Sequence, residues 1–491
     1  MRWSIVVAMI VGMVGSAPAL AVEPGANDSV ADHVTLTLSD RVRGEFVDWF
    51  RPPPGTAPAG AQRYDFFANQ LRFGLRVTYP HIQLVAEGQD TRLVNLPGDA
   101  SLKPPQGNLG PGAIYFANTH DRDQGETFIK QGYVAFTDIP GAAGLTMTLG
   151  RFEYSDGLET IPADPALAWL KRARIGERLV GPFGYTHVTR SFDGVRAAYN
   201  QPSWNVTAFG TRPTMGGFEV SANRELDVTL AGVAATLKKI ADLPPADVRL
   251  FYLYYDDGRD EALKVDNRPR DVRLADHKDL RIHTWGGHAL VVADAGPGKL
   301  DGLLWSALQV GDWGELTHFA WAVAVEGGYQ LPDVPTAPWL RIGYDRSSGD
   351  GDPNDNQHHT FFQLLPTARL YAQTPFYNLM NSEDFFAQLI LKPHQRLSVR
   401  ADYHWLRLSD AHDLWYSGGG ATNNHFFGFA GIPSGGNHEL AHVAELALTV
   451  TLLEQLTAYV YYGHTFGQDV VQNTFAGGSA NYGYVEMTYR Y

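Results

Sequence analysis

The side chains with most chemical capacity in this 491-residue chain are arginines set at alternate positions. Arg41 and Arg43, Arg72 and Arg76, and Arg190 and Arg196 each sit on the polar side of a period-two pattern, as do Arg341, Arg400 and Arg490. Glu45, Glu87, Asp402, Glu445 and Glu486 are interspersed among them. A guanidinium is planar, permanently charged and able to hold a carboxylate through two parallel hydrogen bonds. Left unneutralised, a surface of such groups attracts anions. Paired with the neighbouring acids, it only stiffens the wall that carries it. The residues leave both outcomes open.

Three further groups have chemical capacity. Asp164-Pro165 opens a helix, with aspartate as N-cap and proline in the first turn, and Lys171, Arg174 and Arg178 then share one helical face. Such a loop helix either folds inward to narrow an enclosing structure or lies solvated outside. In the loop Asp345 to Asn356, Asp350, Asp352 and Asp355 crowd between glycines and offer the hard oxygen ligands that Ca²⁺ takes, without the bidentate glutamate of an EF-hand loop. A solvated acidic loop is the other reading, and calcium is the one cofactor expected at all. His438 and His442 fall on an expected strand, where that spacing separates them by about 13 Å. No nucleophile elbow, zinc-protease helix or nucleotide loop appears. No enzymatic role is expected.

The elements that must position these residues are strands. Val34 to Trp49 sets Leu36, Leu38, Val42 and Phe46 against Thr37, Arg41, Arg43 and Glu45. Similar stretches are expected at 34–49, 64–79, 82–95, 126–138, 144–154, 186–200, 203–213, 226–240, 247–256, 279–292, 299–311, 316–331, 338–346, 379–392, 395–408, 438–452, 455–466 and 480–491. After even strands the links are short, as at Pro80-His81 and Pro393-His394. After odd strands they are longer and rich in glycine, proline, Asn and Asp, Gly311 to Glu315 being the main exception. That parity predicts an all-β, transmembrane antiparallel barrel of about eighteen strands, with short periplasmic turns and long extracellular loops. Aromatic residues near strand ends, Trp49, Phe50, Tyr64, Phe66, Tyr79, Tyr329, Trp339, Tyr344, Trp405, Tyr489 and Tyr491, suit interfacial girdles. In the final strand Val485, Met487, Tyr489 and Tyr491 oppose Tyr484, Glu486, Thr488 and Arg490, a pattern expected to close the barrel against the first strand.

Composition agrees with that class. Residues 1–21 read as a signal peptide, with Arg2 before a short apolar core and Ala19-Leu20-Ala21 as cleavage site, leaving 22–491 as one barrel. The absence of cysteine excludes a disulfide framework and thiolate chemistry. A formal net charge of −14 argues against general nucleic-acid binding. Mean hydropathy of −0.21 suits a barrel in which only alternate strand residues meet lipid. A charged side chain facing the bilayer midplane costs roughly 2–4 kcal/mol for Arg or Lys, so the arginines belong in the lumen.

Several motifs in shared order resemble the alginate export family of bacterial outer-membrane barrels. They are Leu149-Gly150-Arg151, Asp156-Gly157, Arg190-Ser191-Phe192-Asp193-Gly194-Val195-Arg196, Gly328-Tyr329, Ser348-Gly349-Asp350, Thr360 to Thr367, and Asp413-Leu414-Trp415-Tyr416. The resemblance runs from Gly144 to Tyr491. It implies an eighteen-stranded channel passing a negatively charged polysaccharide through an arginine-lined constriction. Two departures are visible: Phe152 stands where the family more often has Gln, and Ala447 where it often has Asp after the glutamate matched by Glu445. A bulge at Gly150 is expected to turn Arg151 inward. The expected lining is therefore Arg41, Arg43, Arg72, Arg76, Arg151, Lys171, Arg174, Arg178, Arg190, Arg196, Arg341, Arg400, Glu445 and Arg490. The expected partners are outer-membrane lipid, the barrel-assembly machinery and an anionic polysaccharide or small anionic solute, with the chain as a monomer. A general small-solute porin is the alternative, and a barrel-embedded hydrolase the remote one.

Overall fold

The computed structural model describes residues 33–240, 244–367 and 373–491. The expected signal peptide and residues 241–243, at the start of the turn between the strands expected at 226–240 and 247–256, lie outside these residues. The strands are β1 Val34–Asp48, β2 Arg63–Tyr79, β3 Ile82–Val94, β4 Gln124–Phe136, β5 Leu145–Phe152, β6 Phe192–Asn200, β7 Trp204–Pro213, β8 Val228–Leu237, β9 Ala246–Asp257 and β10 Leu280–Ala295. They continue as β11 Gly298–Trp313, β12 Leu316–Gln330, β13 Trp339–Ser347, β14 Gln357–His358, β15 Glu383–His394, β16 Leu397–Arg407, β17 Leu414–Gly418, β18 Phe429–Pro433, β19 Glu439–Leu453, β20 Leu456–Gly467 and β21 Ser479–Arg490.

Eighteen of these form one closed antiparallel barrel. Each pairs with its neighbours in sequence, and β1 pairs with β21 from Ser39↔Arg490 to Asp48↔Asn481. Leu38 and Tyr491 exchange backbone hydrogen bonds of 3.0 and 2.8 Å, so the terminal aromatic residue closes the ring as expected. β14 lies parallel to β12, and β17–β18 is a hairpin within a loop. The link parity holds: one end carries tight turns such as 80–81 and 454–455, the other long loops, with 314–315 the short exception. The expected strand at 186–200 starts instead at Phe192, because residues 186–191 belong to an inserted loop.

The pleat sorts side chains as the bilayer requires. Leu36, Leu250 and Ile342 are 68, 68 and 63% exposed on the outer face, while Gln70, Gln89 and Thr91 are buried within. That inverts a water-soluble protein and is expected where the outer solvent is lipid. Not every strand-end aromatic joins a girdle. Trp49, Phe50, Phe66 and Trp339 are buried inside, and Phe50 packs at 5.5–6.1 Å from Phe376, Trp415 and Phe475. Tyr489 and Tyr491 do face outward.

Two long loops fold into the lumen. The first, 153–191, is held from the inner wall: Gln70 and Gln89 donate to the His187 carbonyl at 2.7 and 2.9 Å, and Arg41 donates to the Gly184 carbonyl at 2.8 Å. The inward alternative for its helix is thus the one adopted. The second, described over 348–367 and 373–382, brings Phe361, Phe362, Leu364 and Leu365 to burial, and Leu365 bonds both Leu179 and Gly181 of the first loop. Gln309 on β11 clamps Phe362 through both its amide atoms, at 2.7 and 2.8 Å.

Gly150 carries a local constraint at the β4–β5 seam. Its φ is +122°, and a Cβ there would stand 2.3 Å from the Gly132 carbonyl oxygen. Gly150→Ala is expected to cost about 1–3 kcal/mol. The measurement is the temperature at which the compact band is lost on unheated electrophoresis. An unchanged transition would show that the seam tolerates the side chain.

Candidate functional site

Alternation turns the charged residues of β21, β1, β2, β3 and β4 towards one side of the lumen. Arg41, Arg43 and Glu45 come from β1, Arg72 and Arg76 from β2, Glu87 from β3, Lys130 from β4, and Glu486 and Arg490 from β21. Between this wall and the first loop lies a cavity of about 500 Å³ lined by Arg41, Arg72, Arg76, Arg490, Glu87 and Glu153. A second, of about 280 Å³, shares Arg41 and adds Arg43, Glu177, Tyr459, Tyr484 and Glu486.

Neutralisation on this wall is partial. Arg43 is fully engaged: its Nη2 lies 2.5 Å from Glu486, its Nη1 3.2 Å from Glu45, and its guanidinium stacks 4.4 Å from the Tyr484 ring. Arg41 stands 3.9 Å from Glu486 and also donates to the carbonyls of Gly184 and Thr186. Arg72 shares Glu153 with Lys130, at 3.2 and 3.1 Å, and reaches Glu87 at 3.7 Å. Arg76, Arg196 and Arg490 make no ion pair among the described residues, although Arg196 lies 5.5 Å over the Phe152 ring. Cations therefore outnumber acids here. Burial also pushes the Glu177 carboxyl up to about 7, so near neutral pH it subtracts only part of a charge.

The opposite side differs. Asp164 caps the loop helix Pro165–Leu170 by accepting from the Ala166 and Leu167 amides at 2.9 Å, as expected. The helix continues as a π-turn, Lys171–Ile175. Lys171 meets Asp247 of β9 at 2.7 Å. Arg174 meets Glu326 of β12 at 2.8 Å, and Arg178 meets Asp345 of β13 at 2.9 Å. Arg341 of β13 completes the network at 3.0 Å from Glu326 and 3.1 Å from Asp301. All four cations are buried. Lys171, Arg174, Arg178 and Arg341 therefore do not line a water-filled path. They pin the loop, because a charge taken out of water persists only with close counter-charges.

Other expected lining residues are also placed elsewhere. Arg151 lies on the outer face. The register Leu149↔Val195, Gly150↔Gly194, Arg151↔Asp193 runs unbroken, so no bulge reverses the pleat. Near the long-loop end Arg151 pairs with Asp193 at 2.6 Å and donates to the Asn223 side chain at 2.8 Å. Arg190 sits in the loop core, over Phe183, with a 3.4 Å bond to the Gly419 carbonyl, and burial pushes its guanidinium down to about 10. Arg400 is inward but tied to Asp402 at 2.7 Å. Glu445 is buried, accepting from Tyr461 and from the Gln373 and Thr374 amides.

Asp350, Asp352 and Asp355 do not converge. Each accepts a hydrogen bond from the backbone amide two residues on, at 3.2, 3.0 and 2.9 Å, so the carboxylates shape turns and the calcium reading gains no geometry. Sequence reasoning missed Lys130, Glu153 and Glu177. Lys130 shares the inner face of β4 with Gln124 and Phe128, a usable signal. Glu177 lies in a loop, where no period reveals orientation.

The model of the alginate export family matches residues 34–484. No curated protein shows significant similarity to the sequence. Among solved structures, the chain is similar to Pseudomonas aeruginosa OccK5 (OpdH), with 10% identity, a TM-score of 0.55, and coverage of 94% of this chain and 99% of that one. It is similar to Pseudomonas aeruginosa OpdK crystallised with vanillate, at 8% identity and TM-score 0.54, covering 93% and 98%. A separate structure of the outer membrane protein OpdK of that organism gives 9% and 0.52, covering 93% and 99%. At such identities the likeness is one of fold.

Proposed function

The chain belongs to the alginate export family and is a channel of the Gram-negative outer membrane, and from that premise we propose that it passes anionic polysaccharide or uronate-type solutes along its arginine-lined wall. The observation that carries the reading is the surplus of cations on the β21–β1–β2 wall, with Arg76 and Arg490 facing the 500 Å³ cavity without acidic partners among the described residues. A uronate carboxylate entering there meets forked donors that no acid among the described residues occupies. Arg41 and Arg72, each shared with an acid or a carbonyl, hold it more weakly. A row of such sites admits an anion and releases it to the next, which is what conduction requires.

A second reading, a porin for small carboxylates, is favoured by the two inserted loops, which leave a cavity suited to small molecules. The OpdK structure, which holds vanillate, shares the fold. One experiment separates them. Single channels in a planar bilayer are exposed to monomeric uronate, to short uronate oligomers, and to neutral oligosaccharides of equal length. The polymer reading expects current blocks whose dwell time lengthens with uronate chain length. Equal block by monomer and oligomer selects the small-acid porin. Equal block by neutral and charged oligomers overturns both.

A further inference from the structure

Away from the cationic wall, we infer that Asp402, His404 and Glu445 form a binding site for a divalent transition-metal cation of the zinc type. β16 and β19 build it. Asp402 and Glu445 are direct register partners, and His404 follows Asp402 on the same inward face. One ligand atom from each lies within 4.8 Å of the others, and all three residues are buried. The outward neighbours Tyr403 and Trp405 are 48 and 38% exposed to lipid, so the pleat leaves these three groups no other direction than inward.

The free atoms point to a ligand. His404 Nδ1 stands 2.9 Å from Asp384 of β15. A carboxylate there fixes the proton on Nδ1 and leaves the Nε2 lone pair for a cation, the arrangement that orients metal-bound imidazoles. His404 Nε2 is buried and without a hydrogen-bond partner among the described residues. So are Asp402 Oδ1 and Glu445 Oε2. Each of the three residues thus keeps an electron-rich atom out of water and without a partner, in a cluster whose ligand atoms lie within 4.8 Å, which is unfavourable unless something positive lies among them. An imidazolium paired with Asp384 would balance the same carboxylates without a metal, and absence of zinc uptake is the result that would select it. Charge agrees: Asp384, Asp402 and Glu445 stand against Arg400, which binds the other oxygen of Asp402 at 2.7 Å.

One nitrogen and two carboxylates, in a site braced by second partners, suit Zn²⁺ or a similar first-row cation better than Ca²⁺, which takes six to eight oxygens. The bracing also says what the ion does. Glu445 Oε1 accepts from the Gln373 and Thr374 amides at 2.7 and 3.0 Å, and Asp384 accepts from Tyr377 at 3.2 Å. Both contacts come from the returning end of the second inserted loop. A cation here fastens that loop to the barrel wall.

The test uses the full chain in detergent, stripped with a chelator and dialysed against Zn²⁺, Mn²⁺ or Ca²⁺ in turn. Elemental analysis is expected to find about one zinc per folded chain. His404→Gln is expected to weaken zinc affinity at least about tenfold. Asp402→Asn serves as a second variant should His404→Gln fold poorly, and His442→Gln, outward on β19, controls for surface capture. Zinc should raise the melting temperature of the wild type and of His442→Gln but not of His404→Gln. Zinc retained equally by His404→Gln and Asp402→Asn, no zinc above the chelated background, or preferential uptake of Ca²⁺ would each overturn the proposal.

Discussion

Arg76→Glu combined with Arg490→Glu is expected to abolish the anion preference proposed for the channel. The two residues face the same cavity and make no ion pair among the described residues, so their charge is available to a permeant ion. Each exchange shifts the local charge by two. For an ion about 8 Å from both, in water, the combined change is about 2 kcal/mol, or some 30-fold in local anion occupancy. The measurement is the reversal potential in a bilayer under a potassium chloride gradient. It should move from the anion towards the cation side, and the wild-type preference should itself fade in high salt, where the Debye length falls to about 3 Å at 1 M. A reversal potential unmoved by the double substitution would sink the anion reading. Arg400→Glu is the instructive contrast. Arg400 already binds Asp402, so its loss disturbs that acid and leaves the cavity's charge little changed.

How legible the molecule was depended on the solvent each residue meets. The strands were plain because lipid and lumen impose a strict alternation: Leu36, Leu38 and Phe46 had to be apolar, and Arg41, Arg43 and Glu45 could not share their face. Turn and loop lengths, set by the two ends of a membrane barrel, gave the topology. Loop interiors were not legible. Nothing periodic marks Phe361–Leu365 as lumenal, although so apolar a run within a polar loop was a signal in itself. The cationic face of Lys171, Arg174 and Arg178 was readable as a face. Its destiny was not, since its counter-charges, Asp247, Glu326 and Asp345, come from three strands distant in sequence. Arg151 illustrates a finer limit. A glycine before an arginine suggests a bulge, yet Gly150 absorbs the distortion in its own φ and the ladder runs on unbroken.

The same buried network makes Glu326→Gln the substitution with the largest expected effect on the loop. Glu326 lies within 3.4 Å of Arg174, Arg178 and Arg341, its side chain fully buried. Neutralising it leaves three enclosed guanidinium groups with only Asp301 and Asp345 to balance them. Removing one partner from such a network costs about 3–5 kcal/mol, because the remaining charges stay out of water uncompensated. The barrel ladder does not pass through these side chains, so the cost falls on the docking of loop 153–191 rather than on strand pairing. Glu326→Gln should therefore raise single-channel conductance and expose residues 153–191 to protease, while the barrel stays folded on unheated electrophoresis. Adding Arg174→Met removes one of the stranded charges at similar volume, and the pair should recover part of the lost docking, a coupling that a double-mutant cycle reads directly. Unaltered conductance together with unaltered proteolysis in Glu326→Gln would mean that apolar burial around Leu167, Leu170 and Leu179 holds the loop and that the ion network is incidental.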